Sequence, residues 1–516
     1  MTTFFGFDPG WIVDDGSVVL VVDKPVGVPC MPPRAGIADD LPSRLCAGLG
    51  IEKLGVHSRL DAETSGVIAY ALDAEGDRLL SGETRKIYWA AVSRWRGTDR
   101  VIDTPIDGKR AETHVKLLRR HGERALLQCE LRTGRKHQIR RHLAEAGSPI
   151  AGDRHYGGEL APRLLLYSVE LHVGERTYRV EPDGDLDAWL DASWTPWDPA
   201  TLERACRRAF QRRHWLSLDP ATDAFRMLNG DADGAPGLAV DRYGAHLVAQ
   251  LYDDAAEHED AIVEVLSRFD VAGIYVKRRP RQANTLVETR DDDVAPSAPV
   301  WGIAAPDPMM IRESGIEHEV RLGDGLSTGI FLDQRDARER VRRESESKRV
   351  LNLFAYTGAF SLCAAVGGAR SVASVDVSRS CLEVAERAMG RVGYEAHETW
   401  RHDCFEAIKI MAKKDRRFDL VIADPPTYSK HKKHRWTSGN DWVRLAEACF
   451  SVAAPGAQLL MCSNDARMTR GRFRAHLRDG AKRAGVDVAR LVDLPDPIDF
   501  PTWGEHPLKR VWIELA

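Results

Sequence analysis

Two groups of residues have types and spacings that could do chemistry. The first places an aspartate in the run Arg59-Leu60-Asp61-Ala62-Glu63-Thr64-Ser65-Gly66, with Thr133-Gly134-Arg135-Lys136-His137-Gln138-Ile139-Arg140 downstream. A carboxylate kept ionised by nearby guanidinium groups can serve as a nucleophile or stabilise a fragment in transit. The second group is Leu351-Asn352-Leu353-Phe354-Ala355-Tyr356-Thr357-Gly358, then Asp376, Asp403 and Asp424-Pro425-Pro426. A strand running into a glycine turn and a helix lets the backbone approach a ligand closely, and a carboxylate ~20 residues on can accept both hydroxyls of a ribose. Asp403, after the third strand of this unit, suits an adenine edge. The rigid backbone of Asp424-Pro425-Pro426 can position a base.

Elements must hold these groups in place. Short apolar strands at 18–22, 67–72, 88–92, 126–131 and 163–173, with few long helices, predict a mixed, mostly antiparallel α+β unit over residues 1–185. Turn residues at 181–185 and 194–199 read as a linker. A small αβ module follows over 200–300, with a basic helix at 201–213, a small sheet and a helix at 258–269. From 301 to 516 strands and helices alternate, which predicts a doubly wound, Rossmann-like α/β sheet. The chain is thus multidomain, and its 516 residues suit about three domains.

Composition narrows the class. Hydrophobic residues make up 43% and charged residues 29%, and the net charge is −4. Such a chain does not coat nucleic acid by bulk charge, so RNA binding would rest on local basic runs at 119–120, 135–136, 140–141, 277–279 and 430–435. Taken singly, each run is more often a solvated face. Nine cysteines lack any CxxC pair or zinc-site spacing, so no metal is expected and a reducing, cytoplasmic setting fits. Neither a signal peptide nor a membrane span is read.

The first group resembles the RluA-type pseudouridine synthases. Asp23-Lys24-Pro25-x-Gly27, Lys86-Ile87-Tyr88 and Gly152-Asp153-x-x-Tyr156-Gly157 extend the match over about 180 residues. The resemblance implies that uridine is detached from its sugar through nitrogen, turned, and rejoined through carbon, with Asp61 as the carboxylate and the base flipped out of its stack. Arg140 is the first choice for the cation beside Asp61, and Arg135 the second. Tyr88 would stack on the base. Arg59 would hold the vacated space or a phosphate, and Lys86 and Arg135 would contact RNA. In one departure from the family, Ser58 separates His57 from Arg59.

The second group resembles the RlmI and RlmK methyltransferases of 23S ribosomal RNA, with Asp223-Ala224-Phe225-Arg226, 234–243 and Gly329-Ile330-Phe331-Leu332-Asp333-Gln334-Arg335 also matching. It implies a class I fold, S-adenosyl-L-methionine held by Tyr356, Gly358, Asp376, Asp403, Asp424 and Gln334, and RNA contacts at Pro425, Pro426 and Asn464. Whether Gln334 and Arg335 touch the cofactor or support its pocket stays open. Methylating cytosine C5 needs a thiolate; the alignment puts Asn464 at that cysteine's place, with Cys462 two residues away, which favours guanine N7. The expectation is a bifunctional enzyme acting on ribosomal RNA. The alternative is a methyltransferase whose N-terminal domain only docks RNA; a nicotinamide-dependent oxidoreductase lacks its G-x-G-x-x-G fingerprint. Target nucleotides and oligomeric state are not legible.

Overall fold

Alternating apolar runs become strands where one or both faces find a core. A computed structural model describes residues 6–32, 39–82, 84–279, 291–426, 428–431, 434–437 and 441–516. Among the described residues, a nine-stranded sheet carries the N-terminal unit. Its pairing is antiparallel apart from a short parallel contact of Ser65–Ala71 with Leu166–Val173. Ser65–Ala71 is buried along its whole length, which fixes the loop that precedes it and carries Asp61. The helix Gln138–Glu145 lays Ile139 and Leu143 into the same core as Tyr88.

The segment expected as a linker holds a helix, Gly184–Leu190, capped by Asp183, whose carboxylate accepts the Asp185 N–H at 3.2 Å. The polar run that reads as a break is the helix start, and Leu186, Trp189 and Leu190 at helical spacing bury against Ile87, Leu126 and Leu165. Trp189 is fully buried, and truncating it would cost about 3–5 kcal/mol.

The helix Pro199–Arg212 then covers a five-stranded sheet among the described residues, ordered Ala224–Asn229, Leu238–Tyr243, His246–Leu251, Gly273–Arg278 and Trp301–Gly302. The C-terminal sheet has the order His397–Arg401, Ser371–Asp376, Arg349–Leu353, Phe418–Ala423, Ala453–Ser463, Lys509–Leu515, Val488–Asp493. The first five strands are parallel and Lys509–Leu515 is antiparallel. The chain order reverses between Arg349–Leu353 and Phe418–Ala423, where such sheets open a crevice beyond their carboxyl ends.

Buried charge joins the units. Asp185 accepts from Arg204 at 2.9 Å and Arg208 at 2.6 Å. Arg213 donates to Asp233 at 2.6 Å and to the Asp499 carbonyl at 2.9 Å. The Asp499 carboxylate takes Arg335 at 2.7 and 3.1 Å. Gly234 sits at φ 82°, and a Cβ there would come within 2.2 Å of the Pro162 carbonyl oxygen, so only glycine allows this approach. No helix among the described residues is long and apolar enough to cross a membrane.

Candidate active sites

The first site gathers around Asp61 the start of the helix Gln138–Glu145 and the loop 153–156. Arg140 is buried, with a side chain 3% exposed, and is held by Asp153 through Nε at 2.7 Å and Nη2 at 2.8 Å. Its remaining Nη1 lies 3.5 Å from Asp61 Oδ2. The cation is therefore fixed by one carboxylate and offered to a second, whose side chain stays 34% exposed. His137 precedes the helix Gln138–Glu145 in a left-handed conformation, φ 55°. Its Nε2 lies 3.7 Å from Asp61 Oδ1, and its Nδ1 3.0 Å from the Tyr156 hydroxyl. Burial holds His137 below its ordinary pKa against the pull of Asp61, which keeps it neutral near pH 7.

The loop is anchored from beneath. Lys24 is fully buried and its ammonium donates to the carbonyls of Pro25, Ala62 and Thr64 at 3.0, 3.0 and 2.7 Å. Burial lowers its pKa to about 8. Tyr88 is 6% exposed; burial first, and the charge of Asp61 second, push its phenol up and keep it neutral. Lys86 donates to Ser58 Oγ at 2.9 Å, and burial brings it to about 8. Ser58, the departure from the family pattern, thus gives Lys86 its partner, while His57 turns to Asp77 at 2.7 Å. Arg59 is exposed beside this loop.

Arg135, the second choice, is not brought to Asp61. It is exposed, and its Nε donates to the Arg110 carbonyl at 3.0 Å. Its backbone N–H is tied to Gln138, so the turn projects the side chain outward. His137, Asp153 and Tyr156 stood in the motifs without an assigned role; the left-handed turn that redirects His137 leaves no mark in residue spacing.

Basic runs away from the sites are mostly engaged internally. Arg119 pairs with Asp187 at 2.7 Å and Arg120 donates to the Trp95 carbonyl at 2.8 Å. Arg278 pairs with Glu259, and Arg279 donates to Gln250 and Leu326. Of the run at 430–435, Lys432 and Lys433 lie outside the described residues.

The second site is a cavity of 320 Å³ at the sheet's crevice, lined by Gln334, Tyr356, Asp376, Asp403, Asp424, Pro425, Pro426 and Asn464. Gly358 stands at the helix start Ala359–Val366 with φ 80°; a Cβ there would come within 2.5 Å of Ala385. Asp376 accepts the Tyr356 N–H at 2.9 Å and the Ser378 N–H at 2.8 Å, fixing both oxygens at the strand end. Asp403 caps the helix Cys404–Lys413 through the Phe405 N–H at 2.9 Å. Gln334 donates to Asp424 at 3.0 Å. Arg335, its neighbour, turns away to Asp499 and supports the pocket from behind.

Phe331 and Asp333 also line the cavity, and Phe331 is 52% exposed with its ring 5.6 Å from that of Tyr356. Burial, with the nearby charge of Asp333, raises Asp424 to about 7. The guanidinium lining this wall, Arg338, is bound to Glu313 at 2.6 and 2.7 Å. A cavity that crowds carboxylates and spends its arginine elsewhere fits a cationic ligand with ribose hydroxyls. Those are features of S-adenosylmethionine, for which Asp376 would hold the ribose and Asp403 the adenine side. When bound, it supplies a methyl group on a positively charged sulfur.

The comparisons agree with this division. The RNA pseudouridylate synthase family matches residues 18–145, and the S-adenosylmethionine-dependent methyltransferase family matches residues 237–504. The chain is 35% identical over 316 residues to YwbD of Bacillus subtilis, covering 60% of this chain and 78% of that one. It is 32% identical over 368 residues to ribosomal RNA large subunit methyltransferase I of Cronobacter sakazakii, covering 70% and 88%. Among solved structures, SMU.776 complexed with SAH aligns with a TM-score of 0.56 and 25% identity over 66% of this chain and 84% of that one. The chain therefore belongs to the S-adenosylmethionine-dependent methyltransferases and carries, ahead of that unit, a pseudouridine synthase domain.

Proposed function

We propose that this chain modifies large-subunit ribosomal RNA at two bases: it converts a uridine to pseudouridine with its N-terminal domain and methylates a base, guanine at N7, with its C-terminal domain. The observation that carries the first activity is Asp61, part-exposed, ionically matched to a buried Arg140 that Asp153 locks in place. A carboxylate so held can receive the sugar or base fragment when the glycosidic bond to N1 breaks, with Tyr88 as the wall against which the base turns. The new bond forms at C5; the proton lost there is balanced by the one gained at N1, so no oxidant or metal is needed.

The ribosomal target rests on relatives named as ribosomal RNA large subunit methyltransferase I. Guanine is favoured over cytosine because the nearby thiols are poorly placed for attack. Cys462 is fully buried, Sγ 3.9 Å from Gln334 Oε1, and burial with the charge of Asp424 pushes its pKa far up. Asn464 lines the cavity instead. Guanine N7 offers a free lone pair, so alignment by Pro425, Pro426 and Asn464 suffices. The test is mass mapping of ribosomal RNA from cells with the intact protein, without it, and with Asp61→Ala. One pseudouridine should vanish in both deficient strains, and one 7-methylguanine only in the deletion. Unchanged pseudouridine in the Asp61→Ala strain would mean that the N-terminal domain only docks RNA.

A further inference from the structure

Asp153 locks Arg140 onto Asp61, and the two residues after it leave the first site. Arg154 pairs with Glu63 at 2.6 Å, and Glu63 also faces Arg212 of the central module at 3.5 Å. His155 is exposed, with its N–H on Asp153 at 3.1 Å. Across from them runs the C-terminal segment 495–506. Together they enclose a groove of 610 Å³ lined by Arg154, His155, Ile498, Phe500, Thr502 and His506.

Each end of the groove reaches a catalytic centre. At one end His155 is followed by Tyr156, whose hydroxyl meets His137 at 3.0 Å, and His137 lies 3.7 Å from Asp61. At the other, His506 Nδ1 accepts the Leu508 N–H at 3.1 Å, and Leu508 lines the cofactor cavity. The segment 464–474 flanks that end. It starts at Asn464 in the cavity, carries Arg467 with a side chain 80% exposed, and ties Arg470 to Asp496 and Glu505 of the groove wall. The wall 495–506 is held in place, because Asp499 between Ile498 and Phe500 is bound to both Arg213 and Arg335.

We propose that a single RNA strand lies in this groove and serves both centres, so that the uridine and the methylated base belong to one RNA segment. The proposal deepens the double-activity reading and rests on it. Arg154 and Arg470 are held by carboxylates and Asp496 shares the lining, so the exposed Arg467 supplies the cationic contact to a phosphate, His155 offers a polar edge, and Ile498 with the flanking prolines gives an apolar wall for unstacked bases. Linking the sites through one bound strand also raises the local concentration of the second target once the first is engaged.

His155→Glu and Ile498→Glu place a negative charge on opposite walls of the groove. With unmodified large-subunit ribosomal RNA transcribed in vitro, each variant should raise KM for pseudouridine formation and for methyl transfer together, by about tenfold. Their S-adenosylmethionine affinity and melting temperature should match the wild type, and Ile498→Glu should leave both kcat values unchanged. If the wild-type protein makes both products but each variant affects only its neighbouring reaction, or neither, the shared strand is overturned. If the wild-type protein makes one product alone, the double-activity reading fails instead. A photo-crosslinking fragment of the same RNA carrying 4-thiouridine then decides the groove by itself. Adducts on the peptide containing His155 and also on the peptide containing Ile498 support it, and adducts confined to one wall overturn it.

Discussion

The N-terminal site brings its own counter-charge; the C-terminal site lacks one. Asp61 faces Arg140 at 3.5 Å and His137 at 3.7 Å, and stays part-exposed to an incoming base. Asp424 sits in a cavity with Asp333 and Asp376, its carboxyl raised to about 7, while Arg338 is committed to Glu313. The first arrangement is electrostatically finished before any ligand arrives, as the proposed cofactor-free isomerisation would require. The second is completed by a cation. The difference teaches that pairing of buried charge can show which site works alone and which waits for a partner.

The hardest blow to this contrast is Asp61→Asn. Pseudouridine formation should fall by about 10⁴-fold, with methyl transfer to the same RNA intact, measured by mass spectrometry and tritium transfer. Arg140→Met comes next, because it leaves Asp153, fully buried, without its guanidinium. A loss of about 3–5 kcal/mol in denaturant unfolding of the N-terminal transition is expected; a loss below ~1 kcal/mol would show that this pair holds nothing together.

In the second site, Asp376→Ala removes the acceptor beside Tyr356 and should weaken S-adenosylmethionine by about 1.5–3 kcal/mol in calorimetry, leaving pseudouridine formation unchanged. The pH response sharpens the comparison further. Asp424 is an acid whose pKa is raised to about 7 by burial, so it is mostly protonated at pH 6 and mostly ionised at pH 8. A sulfonium ligand favours the ionised form. Affinity should therefore be full above pH 7 and fall below it, by up to about tenfold between pH 8 and pH 6. A flat profile would place the sulfur away from Asp424. Smallest of all, Cys462→Ser should change methyl transfer by less than about twofold, since the thiol is buried and protonated; a large loss would restore cytosine C5 as the target.

Much of this was legible in the chain because local rules and tertiary structure agree. The strands around Asn352 and Asp376, the glycine at Gly358 and the Asp424-Pro425-Pro426 terminus fall at the carboxyl end of the sheet, as their spacing implies. Arg140 was readable as the partner of Asp61 because the charge needed one. What stayed hidden depends on direction. Arg135 and Arg140 differ little in sequence context, yet a left-handed residue at His137 sends one outward and the other into the core. The helix Gly184–Leu190 was masked because the same polar residues open a helix or end a strand. The fastening of the units by Asp185, Asp233 and Asp499 joins positions up to 286 apart in the chain, and no local pattern records that.

Asp185 has a further consequence. It has no solvent exposure and belongs to the N-terminal unit, but the arginines that neutralise it, Arg204 and Arg208, lie beyond the next turn. Severing the polypeptide between them would strand an acid inside one half and bare two guanidinium groups on the other. Neither piece would keep its buried charge matched, so the two stretches on either side of that turn resist being divided into separate proteins.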